Sequence, residues 1–98
     1  MLTSKQRAGL KGLANQMEVI LQIGKAGILP TVLKQLNEAL LARELVKGKV
    51  QENCPLSARE AAAELAEAAE CEVVQVIGSK FILFKQNTKK PIYDLSKL

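Results

Sequence analysis

A chain of 98 residues has room for one hydrophobic core, since domains most often run to about 100–150 residues. It is 48% hydrophobic and 24% charged with six glycines and three prolines, which excludes a disordered or collagen-like chain. No apolar run approaches the ~20 residues of a membrane span, and Met1 to Arg7 hold no stretch of signal-peptide length, so a cytoplasmic protein with no membrane partner is expected.

Histidine is absent, which removes the usual general base, the usual zinc ligand and the near-neutral pH switch. Cys54 and Cys71 are too far apart for a C-x-x-C pair and too few for a metal cage. They read as reduced thiols that pack. No metal and no cofactor is expected, and with neither a paired acid constellation nor a phosphate-cleaving motif the chain reads as a non-enzyme.

The net charge of +4 is modest, but it is unevenly spread. Residues 1–50 carry eight basic and three acidic side chains. Residues 51–75 carry Arg59 against Glu52, Glu60, Glu64, Glu67, Glu70 and Glu72. Residues 76–98 carry five lysines against Asp94. One basic flank and one acidic flank are implied, and the first favours a polyanionic partner.

Along the chain, Thr3 and Gln6 form a capping box that opens a helix. Leu10, Leu13, Ala14 and Met17 recur at helical spacing and are expected to face the core. Gly9 and Gly12 weaken this helix by up to ~1 kcal/mol each relative to alanine. Val19 to Ile23 is short, apolar and β-branched, and reads as a buried strand bounded by Gly24. Pro30 suits the first turn of a second helix running to about Ala42, with Val32, Leu33, Leu36, Ala39 and Leu40 on its apolar stripe. Leu45 to Val50 alternates as a half-buried strand, with Val46, Gly48 and Val50 on one face and Leu45, Lys47 and Lys49 on the other. Ser57 and Glu60 form a second capping box, opening an alanine-rich helix to about Glu70, with Ala62, Leu65, Ala66 and Ala69 inward. Val73 to Ile77 is another strand. Gly78-Ser79 is a two-residue hairpin turn into Phe81 to Phe84, whose phenylalanines read as packing groups. From Gln86 the periodicity fades into a basic tail, to be ordered only by docking Ile92 or Tyr93.

The fold class is therefore a two-layer α/β domain, in the order α-β-α-β-α-β-β, with helices packed on a four-stranded mixed sheet. The two strand–helix–strand units imply right-handed crossovers and mostly parallel pairing, followed by an antiparallel hairpin. Residues 1–85 form the domain and 86–98 the tail.

Gly24-Lys25-Ala26-Gly27 sits between a strand and a helix. Glycines let another backbone approach closely, the following helix directs its amide dipoles toward the loop, and Lys25 adds a mobile cation. It lacks the spacing of a P-loop or a dinucleotide fingerprint. A G-x-x-G loop that clamps a nucleic-acid backbone is the hallmark of KH domains; alone it is more simply a plain turn and helix start, and the flanking charges shift that reading. Lys5, Arg7, Lys11, Lys47 and Lys49 belong to the same basic half and are added as candidate contacts. Lys80, Lys85, Lys89 and Lys90 could extend that surface. With few aromatics, the expected mode is recognition of backbone and shape, which suits structured RNA better than single strands.

The stretches Leu2-Thr3-Ser4-Lys5-Gln6-Arg7, Val19 to Gly27, Ala42-Arg43-Glu44-Leu45-Val46-Lys47, Glu52-Asn53-Cys54-Pro55 and Val73 to Gly78 occur together in order. On them the chain resembles the CRM family (chloroplast RNA splicing and ribosome maturation), in its bacterial stand-alone, YhbY-like form. The resemblance runs from Leu2 to about Lys85. It implies an RNA-binding domain related in fold to the C-terminal domain of translation initiation factor three. It also implies Gly24, Lys25, Ala26 and Gly27 as the RNA-contacting loop, and association with precursors of the large ribosomal subunit. Gly48 departs from the bulkier apolar residue expected on a sheet strand. The expected function is binding of ribosomal RNA during large-subunit assembly. The alternative is a protein-interaction module that meets ribosomal proteins through the acidic helix of residues 58–70.

Overall fold

The computed structural model describes residues 2–98, which form three helices, four strands and a terminal 3-10 turn. Helix α1 spans Ser4–Ala14, strand β1 Leu21–Ile23, helix α2 Pro30–Arg43 and strand β2 Leu45–Val50. Helix α3 spans Ala58–Ala69, strand β3 Glu72–Ile77 and strand β4 Lys80–Phe84, and the 3-10 turn spans Leu95–Lys97.

Local chemistry sets the helix starts. Thr3 Oγ1 accepts from Gln6 N at 3.1 Å, while Gln6 Oε1 accepts from Thr3 N at 3.0 Å. Ser57 and Glu60 repeat the exchange at 3.1 and 2.9 Å at the start of α3. Each box satisfies two backbone donors that a helix end otherwise leaves to water. Strand β1 is shorter than its apolar run, because Val19 and Ile20 precede the ladder. Ile20 N already donates to Lys47 O at 3.0 Å.

The sheet order is β1-β2-β4-β3. β1 pairs parallel with β2, and β4 pairs antiparallel with both β2 and β3. The expectation of mostly parallel pairing is thereby corrected. The last strand inserts between β2 and β3, so two of the three pairings are antiparallel. The Gly78-Ser79 turn, with Gly78 at φ +57°, folds β4 back inside its hairpin partner rather than along the outer edge.

Two apolar clusters lie on opposite faces of the sheet, as the alternation of β4 requires. Phe81 and Leu83 join Val46, Leu21 and Ile23 under α2 and α3, whose contributions are Leu36, Leu40, Ala61, Ala62 and Leu65. Ile82 and Phe84 join Leu45 and Val74 under α1, which contributes Leu10 and Ala14. The sheet and the α2–α3 layer make the expected two layers, and α1 with the C-terminal segment covers part of the other face. Leu13, expected inward, is 43% exposed: α1 turns only its Leu10–Ala14 ridge to the sheet.

Gly48 explains itself against Phe81. A Cβ on Gly48 would lie 2.4 Å from Phe81 Cζ, so the glycine makes room for a fully buried aromatic ring on the neighbouring strand. Both phenylalanines are core groups, as expected.

The tail is held by a buried acid. Glu44, fully buried at the C-cap of α2 with φ +63°, accepts from Ile92 N at 2.8 Å and Tyr93 N at 3.0 Å through Oε1, and from Asn87 N through Oε2. Tyr93 packs edge-on against Phe84, with ring centroids 6.4 Å apart, while Ile92 stays exposed. Among the described residues, no helix is long and apolar enough to cross a membrane.

Candidate functional site

Strand β1 delivers the chain into the Gly24–Gly27 turn. Gly27 N donates to Gly24 O at 3.0 Å, and Gly27 adopts φ +73°, a conformation that a side chain at this position would strain. Gly24 lies against Gln51, whose Oε1 would be 2.9 Å from an added Cβ. Lys25 and Ala26 project into solvent between these two glycines. Helix α2 begins three residues later at Pro30, which has no N–H, and its N-cap Leu29 makes no side-chain cap. The first turn therefore gains no side-chain cap, although Val32 N donates to Leu29 O at 2.9 Å.

Two other loops share this end of the sheet. Gln51 N donates to Ile23 O at 2.9 Å, and its side chain donates to Gln22 Oε1 at 2.7 Å, fastening the start of the β2–α3 loop beside the glycine turn. Val50 N donates to Ser79 O at 2.8 Å, which brings in the β3–β4 turn. A concavity of about 750 Å³ opens here, lined by Gln22, Lys49, Gln51, Ser57, Ser79 and, as its one acid, Glu52.

The lysines of β2 and β4 border this end on the α1 side of the sheet. In register, Lys49 lies between Gln22 of β1 and Lys80 of β4, and Lys80 lies between Lys49 and Ile77 of β3. Lys49 and Lys80 are thus directly opposed like charges, an arrangement that costs stability unless an anion offsets it. Both are exposed. Lys47, two residues back on the same face, is half-buried and donates to Ala14 O at 3.4 Å, where α1 ends. A smaller concavity of about 200 Å³ adjoins them, lined by Asn15, Lys47, Gln75, Ile77, Lys80 and Ile82.

The other candidates lie elsewhere. Lys5 and Arg7 occupy the first turn of α1, beside the start of β3. Arg7 Nη1 donates to Val73 O, and Leu2 N donates to Glu72 Oε2 at 2.9 Å. That is the opposite end of β3 from Ile77, so the structure separates Lys5 and Arg7 from the glycine turn and gives Arg7 a backbone partner of its own. Lys11, in the last turn of α1, is half-buried between the two groups. Conversely, sequence reasoning left the position of Lys80 open, and the β2–β4 register places it against Lys49. Nothing in the sequence announces that pairing, because it depends on β4 inserting next to β2.

The charges sort by face. Glu60, Glu64, Glu67 and Glu70 are exposed on or at the end of α3, which covers the face opposite α1. The Ser57 backbone N–H and hydroxyl hold the Glu60 carboxyl below its ordinary value of 4.5. Cys54 and Cys71 are both free, and burial pushes the Cys71 thiol up to about 11, which keeps it protonated and poorly nucleophilic. Among the described residues, no group of three or more Cys, Asp or Glu could hold a metal ion.

The chain is similar to several known proteins. The "Probable RNA-binding protein YqeI" of Bacillus subtilis is 36% identical over 95 residues, covering 97% of this chain and 99% of that one. The "Probable RNA-binding protein MJ0652" of Methanocaldococcus jannaschii is 35% identical over 86 residues, covering 86% of this chain and 63% of that longer one. The solution structure of the hypothetical protein SAV1595 from Staphylococcus aureus superposes with a TM-score of 0.80 at 38% identity, covering 96% of this chain and 98% of that one. The model of the CRS1 / YhbY (CRM) domain matches residues 2–85, and the chain belongs to that family.

Proposed function

We propose that the protein binds RNA, and that its target is ribosomal RNA in precursors of the large ribosomal subunit, where it assists assembly in the cytoplasm. The observation that carries the reading is the opposed pair Lys49 and Lys80 beside the exposed Lys25 of the glycine turn. Three exposed cations at one end of an open sheet face, with the acidic helix on the other face, favour a polyanion on one side only. The names of the Bacillus and Methanocaldococcus relatives point to RNA as that polyanion. The ribosomal target rests on the resemblance read from the sequence.

The mechanism is binding without chemistry. Gly24 and Gly27 keep the turn free of side-chain bulk, so a phosphate can approach the backbone while Lys25, Lys49 and Lys80 neutralise its neighbours. Counterions released from the RNA supply the affinity, which makes it fall with salt. The exposed glutamates of α3 leave a second face free for a basic ribosomal protein.

An anisotropy titration tests this reading, using a structured fragment of large-subunit ribosomal RNA and the DNA duplex of the same sequence. Tighter binding to RNA is expected, with a salt slope reduced by roughly 0.7–0.9 in Lys25→Ala, the loss of about one phosphate contact. Equal affinity for RNA and DNA, or affinity indifferent to salt, would refute it.

A further inference from the structure

Strand β3 is not regular. Val73 pairs with Leu83 and Gln75 with Ile82, so Val74 is an extra residue opposite a single step of β4. Such a bulge breaks the alternation of side chains and re-aims the residue that follows it. Here its effect is specific. Val74 already belongs to the cluster under α1, together with Ile82. Gln75, opposite Ile82, is turned to that same face instead of to the opposite one. The bulge therefore places a second consecutive side chain, an amide, on the sheet face that carries Lys47, Lys49 and Lys80.

That amide is incompletely used. Gln75 lines the 200 Å³ concavity, and its Oε1 is buried with no hydrogen-bond partner. An enclosed acceptor left unmade is costly, and native structures retain few of them. The surroundings point to what completes it. Ile77 and Ile82 give the concavity apolar walls, and Ile77 is 58% exposed. Asn15 adds a second amide. Lys47 and Lys80 stand at the same concavity as cations. Apolar walls, an unpaired acceptor and adjacent cations are the complement of a planar base attached to a phosphate chain.

We propose that this concavity takes one unpaired nucleotide of a bound RNA, the Gln75 amide turning out of its enclosed position so that Oε1 accepts from the exocyclic amine of the base, with the phosphates lying at Lys47 and Lys80. The proposal rests on the RNA-binding reading and adds base discrimination to backbone recognition. Uracil has no exocyclic amine and can offer the acceptor only its ring N3–H, flanked by two carbonyl oxygens, which makes it the poorer partner. Adenine and cytosine satisfy it.

The test uses stem-loops of identical stem, with loops made only of adenine, only of cytosine or only of uracil, titrated against the full chain. Adenine and cytosine loops are expected to bind at least about fivefold more tightly than uracil loops, the lower end of what a well-placed amide–base contact gives. Gln75→Leu, which replaces the amide by an apolar group of similar size, is expected to erase the preference and keep the salt slope. Lys25→Ala is expected to weaken all three loops alike. As a check independent of that substitution's fold, the Gln75 side-chain amide resonances of the unsubstituted protein should shift more with the adenine loop than with the uracil loop. Salt-dependent binding without base preference, a preference that survives Gln75→Leu, or an unmoved Gln75 amide would overturn the pocket and leave the RNA reading standing. Failure of the unsubstituted chain to bind any stem-loop would overturn both.

Discussion

Glu44 gives the sharpest prediction about how the chain is held together. Its buried carboxyl group receives three backbone N–H groups from residues that lie more than forty positions ahead in the sequence. Hydrogen bonds to a charged group contribute ~1.5–3 kcal/mol each, but they are not additive here. Once the carboxylate is gone, the segment can lift away and return its amides to water, so the loss is capped by the docking free energy of the segment. Glu44→Ala should therefore cost about 2–4 kcal/mol, which for a domain of this size lowers Tm by on the order of 10–20 °C. Glu44→Gln keeps the shape but offers a single oxygen. If it serves Ile92 and Tyr93, its NH2 faces the Asn87 N–H, donor against donor, and a smaller loss of about 1–3 kcal/mol follows. Neither substitution relieves the positive φ at Glu44, so backbone strain cancels from the comparison. Urea unfolding would be followed by far-ultraviolet circular dichroism and by fluorescence of Tyr93, the only tyrosine in a chain without tryptophan. In the alanine variant the tyrosine signal should change at lower urea than the dichroism, with loss of exchange protection at the Asn87, Ile92 and Tyr93 amides. Unchanged midpoints and unchanged protection would refute the reasoning.

Gly48→Ala should destabilise the fold by about 1–3 kcal/mol, read as a lower urea midpoint, because its Cβ would sit 2.4 Å from a ring with no free space to retreat into. A neutral or stabilising outcome would mean that Phe81 does not fix the glycine. Cys71 should react with a thiolate-selective reagent at pH 8 roughly 100-fold more slowly in the native protein than in urea, since burial raises it from 9.0 to about 11 and each unit is tenfold in thiolate. The same raised value makes its stabilising contribution complete below pH 9.0 and lost as pH climbs through about 11. Glu60 works in the opposite direction. Its carboxyl is held below 4.5 by Ser57, so its contribution is present above that value and is lost as pH falls through the lowered one. Glu60→Gln should thus be less stable than the parent at neutral pH, and the two should converge in acid; a gap that persisted there would show that the charge is irrelevant.

The parts of the fold that were legible in the sequence are those made by neighbours in the chain. Thr3 with Gln6 and Ser57 with Glu60 mark their helices because capping is a three-residue affair. The Gly78-Ser79 turn is legible for the same reason. What was not legible needs a second segment. Whether β4 lies outside its hairpin or inside it depends on the edge of β2, and only that choice sets Lys80 against Lys49. Lys5 and Arg7 share the basic half of the chain with Lys49, but α1 carries them to the far end of β3. Nothing in the sequence marks Glu44 for burial, because the backbone amides that it receives come from residues more than forty positions on. The bulge at Val74 is hidden because Val73 to Ile77 looks like an ordinary β-branched run. The glycine turn stands where its residues implied, yet its cationic neighbours come from the sheet rather than from the first helix.

The most direct test of the account is a chemical-shift map of the backbone amides of the full chain on addition of the ribosomal RNA fragment. The account predicts perturbations at Lys25 to Gly27, at Lys47 to Lys49 and at Ser79 and Lys80, with none along the glutamate side of α3. Perturbations centred on Glu60 to Glu70, or confined to Lys5 and Arg7 at the far end of the sheet, would contradict it.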